Sequence, residues 1–173
     1  TDSDTDTDTD SDADTDTDTA DTDTDTDTDN GSDTGGICDT AIPCSVGFNI
    51  VYGTDLAYVA QCESITGNLS IDDQDWLTDI DFPCLQAVGG DLVIENNGGL
   101  TNLGLPGLTS VGGDLRIDDN DALTSLDGLS SLTSVAKSLY IIYNDALANL
   151  DGLSGLTSVG DTLDIWTNDA LDR

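Results

Sequence analysis

Ser70, Val93, Arg116, Tyr140 and Asp164 recur at intervals of 23, 23, 24 and 24 residues, and two positions behind each come Asp72, Glu95, Asp118, Ile142 and Trp166. The side chains suited to chemistry or recognition concentrate in these two rows. Their early members are acids with a single guanidinium, Arg116, and their later members, joined by Tyr143, are aromatic or aliphatic. Carboxylate pairs can cleave glycosides or hold a hard cation. Aromatic planes suit sugar rings or the pocket of a protein partner. Tyr140, Ile142, Tyr143 and Trp166, with Arg116 beside them, are therefore the candidate binding residues. Asp72-Asp73 and Asp118-Asp119 leave room for a cation on the same face, although solvated charge that keeps a flat sheet soluble is the simpler reading.

No catalytic group is expected from these residues. The chain has no His, no Met and one Lys, so the usual pairs of nucleophile and base are missing. The acids recur at equivalent places, Asp75, Asp121, Asp145 and Asp169 in one turn and Asp81, Asp127 and Asp151 in another. Residues repeated in every coil serve the coil, here as turn formers that bond nearby backbone. Zinc ligand sets are absent for want of His and of any C-x-x-C pair. No resident metal and no cofactor are expected, and a carboxylate glycosidase is the distant alternative.

The elements that position these rows follow from the same period. Leu69, Leu92, Leu115, Leu139 and Leu163 are anchors, each followed two residues later by Ile71, Ile94, Ile117, Ile141 or Ile165. An L-x-I pair is the period-2 signature of a strand with one buried face, and a fixed period near 23 marks a solenoid of stacked coils. One short strand per coil is expected. Five residues past the anchors, Gln74, Asn97, Asn120, Asn144 and Asn168 form an expected amide ladder that bonds backbone groups left unpaired by a bend. Apolar rows follow, running from Leu77 to Leu171, Ile80 to Leu150, Leu85 to Leu156 and Val88 to Val159. One such coil buries almost nothing alone, whereas a stack buries a continuous core. The expected fold is mainly β, a right-handed β-helix or leucine-rich-repeat-like solenoid of about five coils behind a short helical cap.

Charge divides the 173-residue chain. Its formal net charge is −33, and the first 34 residues hold 15 of the 36 acidic groups, all Asp and mostly alternating with Thr. Such a segment has nothing apolar to bury and repels itself, so residues 1–34 are expected to be a disordered acidic stalk. Fully extended, it would span roughly 100 Å. Its Thr hydroxyls could carry sugars, and its flexible carboxylates offer calcium only diffuse binding. With Arg116, Lys137 and Arg173 as the only bases, nucleic acid and acidic membranes are disfavoured as partners. No run of about 20 apolar residues is present to span a membrane. The chain starts at Thr1 without Met, so a mature or trimmed product is expected, with any export signal or lipid anchor upstream. At the other end it stops half a coil past Leu163, and truncation or a fraying half-coil is expected there.

Residues 35–64 read as a disulfide-linked cap and residues 65–173 as the repeats. Gly35 to Pro43 reads as irregular chain, Phe48 to Tyr52 as a lead-in strand, and Thr54-Asp55 as a helix N-cap for Leu56 to Gln61. The four cysteines, Cys38, Cys44, Cys62 and Cys84, suit two disulfides in an oxidising compartment.

The motif C-x-x-I-x-G-x-L-x-I at Cys62 to Ile71, the following Leu77-Thr78-Asp79-Ile80, and the recurrence of G-D-L-x-I at Leu92-Val93-Ile94 resemble the receptor L-domain family. That family forms the ligand-binding lobes of the epidermal growth factor and insulin receptors and has relatives among bacterial and fungal surface proteins. The resemblance covers about Phe48 to Arg173. In Asn120-Asp121-Ala122-Leu123 the Leu comes three residues after the Asn, where an ordinary leucine-rich repeat has two. The resemblance implies that Cys62 pairs with Cys44, which leaves Cys38 for Cys84. Spacing alone offers a rival, Cys62 with Cys84 across adjacent coils. The expected function is a noncatalytic recognition or adhesion module, extracellular or at the cell surface as a bacterial lipoprotein would be, binding a protein or carbohydrate through the sheet face. The alternative is a structural surface or stalk protein.

Overall fold

A computed structural model describes residues 42–44, 47–50 and 53–171. The expected stalk, Cys38 and Arg173 lie outside them. The main sheet contains Phe48–Ile50, Leu69–Asp72, Leu92–Glu95, Leu115–Asp118, Leu139–Ile142 and Leu163–Trp166, neighbouring in that order and all parallel. Every anchor Leu faces the next anchor, and every Ile of the L-x-I pair faces the next Ile. The period-2 pattern fixes this register, because a slip of one residue would turn Leu and Ile to solvent. They are fully buried as far as Ile141, while Leu163 and Ile165 of the edge strand are exposed.

A second parallel sheet of six strands joins Ile42–Cys44, Cys62–Ile65, Ala87–Val88, Ser110–Val111, Ser134–Val135 and Ser158–Val159. The sequence pattern suggested one strand per coil, and there are at least two. Most of these strands are two residues long, too short to show alternation, and Ile42 and Pro43 are strand rather than irregular chain. Along the third side, Asp79–Asp81 pairs with Asn102–Gly104, and the next two coils replace the strand with 3-10 turns at Asp127–Leu129 and Asp151–Leu153. The change follows an inserted residue. Leu103 and Leu108 lie five apart, whereas Leu126 and Leu132, like Leu150 and Leu156, lie six apart, which turns a 23-residue coil into one of 24. Asp81, aligned with the turn residues Asp127 and Asp151, is therefore in a strand.

The amide ladder runs inside the bend after the main sheet. The side chain of Asn120 donates to the carbonyls of Ile94 and Asp118, both at 2.9 Å, and its Oδ1 accepts the backbone N–H of Asn97 at 3.3 Å. Asn144 repeats these bonds to Ile117, Ile142 and the N–H of Asn120, and Asn168 accepts the N–H of Asn144. Each rung gives the N–H of the rung before it an acceptor inside the bend, and adds a donor to carbonyls on either side. A second ladder stands just before each strand: Asn68 accepts the N–H of Asp91, Asp91 that of Asp114, Asp114 that of Ser138, and Ser138 that of Thr162. The Asn, Asp or Ser ahead of the first four anchors, Asn68, Asp91, Asp114 and Ser138, thus has a structural use that its repetition alone did not disclose.

Cys44 and Cys62 form a disulfide with Cα atoms 5.7 Å apart, which excludes the Cys62–Cys84 rival. Cys84 is also disulfide-bonded, and its expected partner, Cys38, lies outside the described residues. The cap helix spans Gly53–Val59, so Thr54 and Asp55 sit in its first turn rather than ahead of it.

Candidate functional site

Alternation along the main sheet turns two rows outward, as the sequence implies. In register they run Ser70, Val93, Arg116, Tyr140, Asp164 and Asp72, Glu95, Asp118, Ile142, Trp166. Arg116 ties the acidic and aromatic parts together. Its Nη1 donates to Asp118 Oδ2 at 2.6 Å, its Nε lies 3.9 Å from Glu95 Oε2, and its guanidinium stands 5.2 Å from the centre of the Tyr140 ring. Cation–π contact and ion pair both favour this rotamer.

Asp118, although on an outward row, is buried, and its Oδ1 has no hydrogen-bond partner among the described residues. Partial burial pushes the Glu95 carboxyl above the usual carboxylate range, with Asp118, Asp72 and Asp119 adding to the rise and Arg116 opposing it. Desolvation, then the charges of Asp118, Asp121 and Asp145, also raises Asp119. Burial leads in both cases, and neighbouring carboxylates add to it.

The aromatic part is narrower than the sequence suggested. Tyr143 and Trp166 are exposed and meet edge to face with ring centres 5.0 Å apart. Tyr140 is half-buried and Ile142 is 7% exposed, so Ile142 forms the floor of the face rather than its surface. Trp76, which the sequence reading did not single out, is also exposed, and its Nε1 donates to Gln74 Oε1 at 2.9 Å. The signal was the first rung of the ladder: Gln there, instead of Asn, carries an oxygen that reaches the indole N–H two residues on.

Tyr143 also departs from a backbone rule. The residue before each ladder rung has positive φ: Asp73 at 56°, Asn96 at 55°, Asp119 at 52°, Tyr143 at 54° and Thr167 at 52°. Asp and Asn tolerate this left-handed conformation, whereas Tyr and the β-branched Thr are strained in it. Tyr143→Asn should therefore raise the unfolding free energy by about 1 kcal/mol, read as a higher midpoint in urea. A lower midpoint would mean that the ring contact with Trp166 outweighs the strain.

Beside the edge strand lies an open, mostly apolar hollow lined by Leu139, Leu150, Leu153, Leu156, Leu163 and Ile165, with Asp151 and Ser154. Among the described residues no group of three or more His, Cys, Asp or Glu is placed to hold a metal ion, and no helix is long and apolar enough to cross a membrane.

These elements define a parallel β-solenoid of about five coils with one outward sheet face that passes from acidic to aromatic. Compared with protein-family models, curated proteins and solved structures, the chain matches none.

Proposed function

We propose that the chain is a noncatalytic recognition or adhesion module, working outside the cell or at its surface, whose ligand lies on the main sheet around Arg116, Tyr140, Tyr143 and Trp166. The observation that carries this reading is Tyr143, an exposed aromatic held at a φ of 54° against Trp166 where the three coils before it place Asp or Asn. Strain of this kind persists where it is used, and it concentrates at binding and switch sites. Exposed aromatic side chains over a rigid sheet are also strong anchors, because they bury much area while losing few rotamers. The resemblance of Cys62 to Ile94 to the receptor L-domain family points the same way, since the lobes of that family bind ligands. The Cys44–Cys62 bridge suits an oxidising compartment. Residues 1–34 would then act as an acidic stalk, and the ligand is a protein or a carbohydrate.

The test is binding of the full chain to a glycan and surface-protein array beside the Tyr140→Ala/Trp166→Ala double variant, with both shown to fold by circular dichroism. Selective binding that falls at least about tenfold in the variant is expected, since hot-spot aromatics each contribute about 2 kcal/mol. Binding equal in both proteins would move recognition off this face. Binding by neither would favour a structural surface protein in which the solenoid is a spacer.

A further inference from the structure

Resting on that reading, the chemical class of the ligand can be narrowed. Asp72, Glu95 and Asp118 face one another in register on three adjacent parallel strands, about 4.8 Å apart. Like charges directly opposite are destabilising in a sheet, and a single base serves the row. Arg116 satisfies Asp118 Oδ2 and reaches Glu95 only at 3.9 Å. The Asn96 amide donates to Asp72 Oδ1 at 3.1 Å. Asp118 Oδ1 receives nothing, although its side chain is only 8% exposed. A buried carboxylate oxygen without a donor is unfavourable, and this one lies at the centre of the row, one strand from the acid Glu95 and one from Ile142. The Glu95 carboxyl is raised first by its partial burial and, against Arg116, further by the charges of Asp118, Asp72 and Asp119.

We infer that the face takes a cationic segment of a protein partner, with a Lys or Arg head over Glu95 and Asp118 and its neighbouring apolar groups on the Tyr143–Trp166 pair. An ammonium or guanidinium supplies the missing charge to the whole row, the enclosed Asp118 Oδ1 included, and an N–H donor to the partly exposed Glu95 carboxylate. A neutral sugar supplies only a donor. Calcium would need several oxygens converging on one point, whereas these acids are spread along a row and Arg116 already occupies one side of Asp118. The aromatic pair completes the fit, because Arg and Lys stems and heads stack on such rings. The chain has only three bases of its own, so charge complementarity favours a basic partner.

Calorimetry on the full chain at roughly physiological salt, where long-range attraction is screened, tests this with three probes. They are an unstructured peptide rich in Lys and Arg, the same peptide with Gln at each basic position, and calcium chloride. The proteins are wild type, Asp118→Asn/Glu95→Gln, Glu95→Gln alone, and Asp79→Asn/Asp81→Asn, which removes equal charge from another side of the coil. The basic peptide should bind wild type about tenfold more tightly than Asp118→Asn/Glu95→Gln, with Asp79→Asn/Asp81→Asn unchanged and the Gln peptide inactive. Glu95→Gln changes only a partly exposed side chain, so a smaller loss in that variant keeps the test valid if Asp118→Asn folds poorly. Equal weakening in both double variants would overturn the inference by showing diffuse attraction to net charge. Calcium binding lost in Asp118→Asn/Glu95→Gln would overturn it in favour of a metal. If the array ligand depends on Tyr140 and Trp166 while the peptide ignores Glu95 and Asp118, the recognition face stands and the cationic class fails.

Discussion

Asn120→Ala should lower the unfolding free energy by about 3 kcal/mol, because the buried N–H of Asn97 loses its acceptor and the carbonyl of Ile94 loses the amide donor, at about 1–3 kcal/mol for each buried group left unpaired. The carbonyl of Asp118 loses the amide as well but keeps the N–H of Asn96 at 3.0 Å. Asn120 is fully buried in the middle of the ladder, with rungs on both sides, so the strand above and the strand below both lose a fixed bend. The loss is therefore larger than for a surface amide. Asp121→Ala, one residue on and exposed, should change stability by less than about 0.5 kcal/mol. Urea unfolding of the two variants beside wild type checks the contrast. A change below about 1 kcal/mol for Asn120→Ala would mean that water can replace the amide inside the bend.

Gly128→Ala should cost about 3 kcal/mol, the upper range for overpacking. A Cβ there would overlap the carbonyl oxygen of Leu103 in the coil before, and at the equivalent Gly152 it would overlap that of Leu126. Both neighbours are backbone, so no side chain can rotate away and the 3-10 side must lift from the strand beneath it. The glycine is needed for close approach, not for an unusual φ, since no described glycine has positive φ. Gly98→Ala is the control, with nothing within 4 Å of the added atom. Thermal unfolding should separate the two clearly, and similar midpoints would show that the coils have slack along this side.

What was legible in the sequence was whatever repeats. Leu69, Leu92, Leu115, Leu139 and Leu163 with their Ile partners fixed the main sheet and its register, and Gln74 to Asn168 fixed the ladder, because stacking forces equivalent residues into contact. Less legible was whatever is short or shared. Ser110–Val111 and its copies are strands too brief to alternate. The row Phe82, Leu105, Leu129 and Leu153 was hidden because Leu129 and Leu153 enter the core from 3-10 turns, not from a strand. At the candidate site, the outward rows could be read from alternation. The burial of Asp118 and Ile142 could not, because it depends on how Arg116, Tyr140 and their neighbours lie across the face. The strain at Tyr143 needed backbone angles, although its place one residue before a ladder Asn, where Asp73, Asn96 and Asp119 stand in other coils, was visible all along.

These observations separate residues that build the coil from residues that do not. Asn120, Asp114 and Gly128 recur and are satisfied by neighbouring coils. Tyr143, Trp166 and the unpaired oxygen of Asp118 contribute less to the coil than the residues they replace or adjoin would.

The most direct measurement is hydrogen exchange of the full chain with and without the ligand that the array selects. Added protection should concentrate in Leu115–Asp118, Leu139–Ile142 and Leu163–Trp166, with the second sheet unchanged. Protection confined to Ser110–Val111, Ser134–Val135 and Ser158–Val159, or to residues 1–34, would contradict recognition through the main-sheet face.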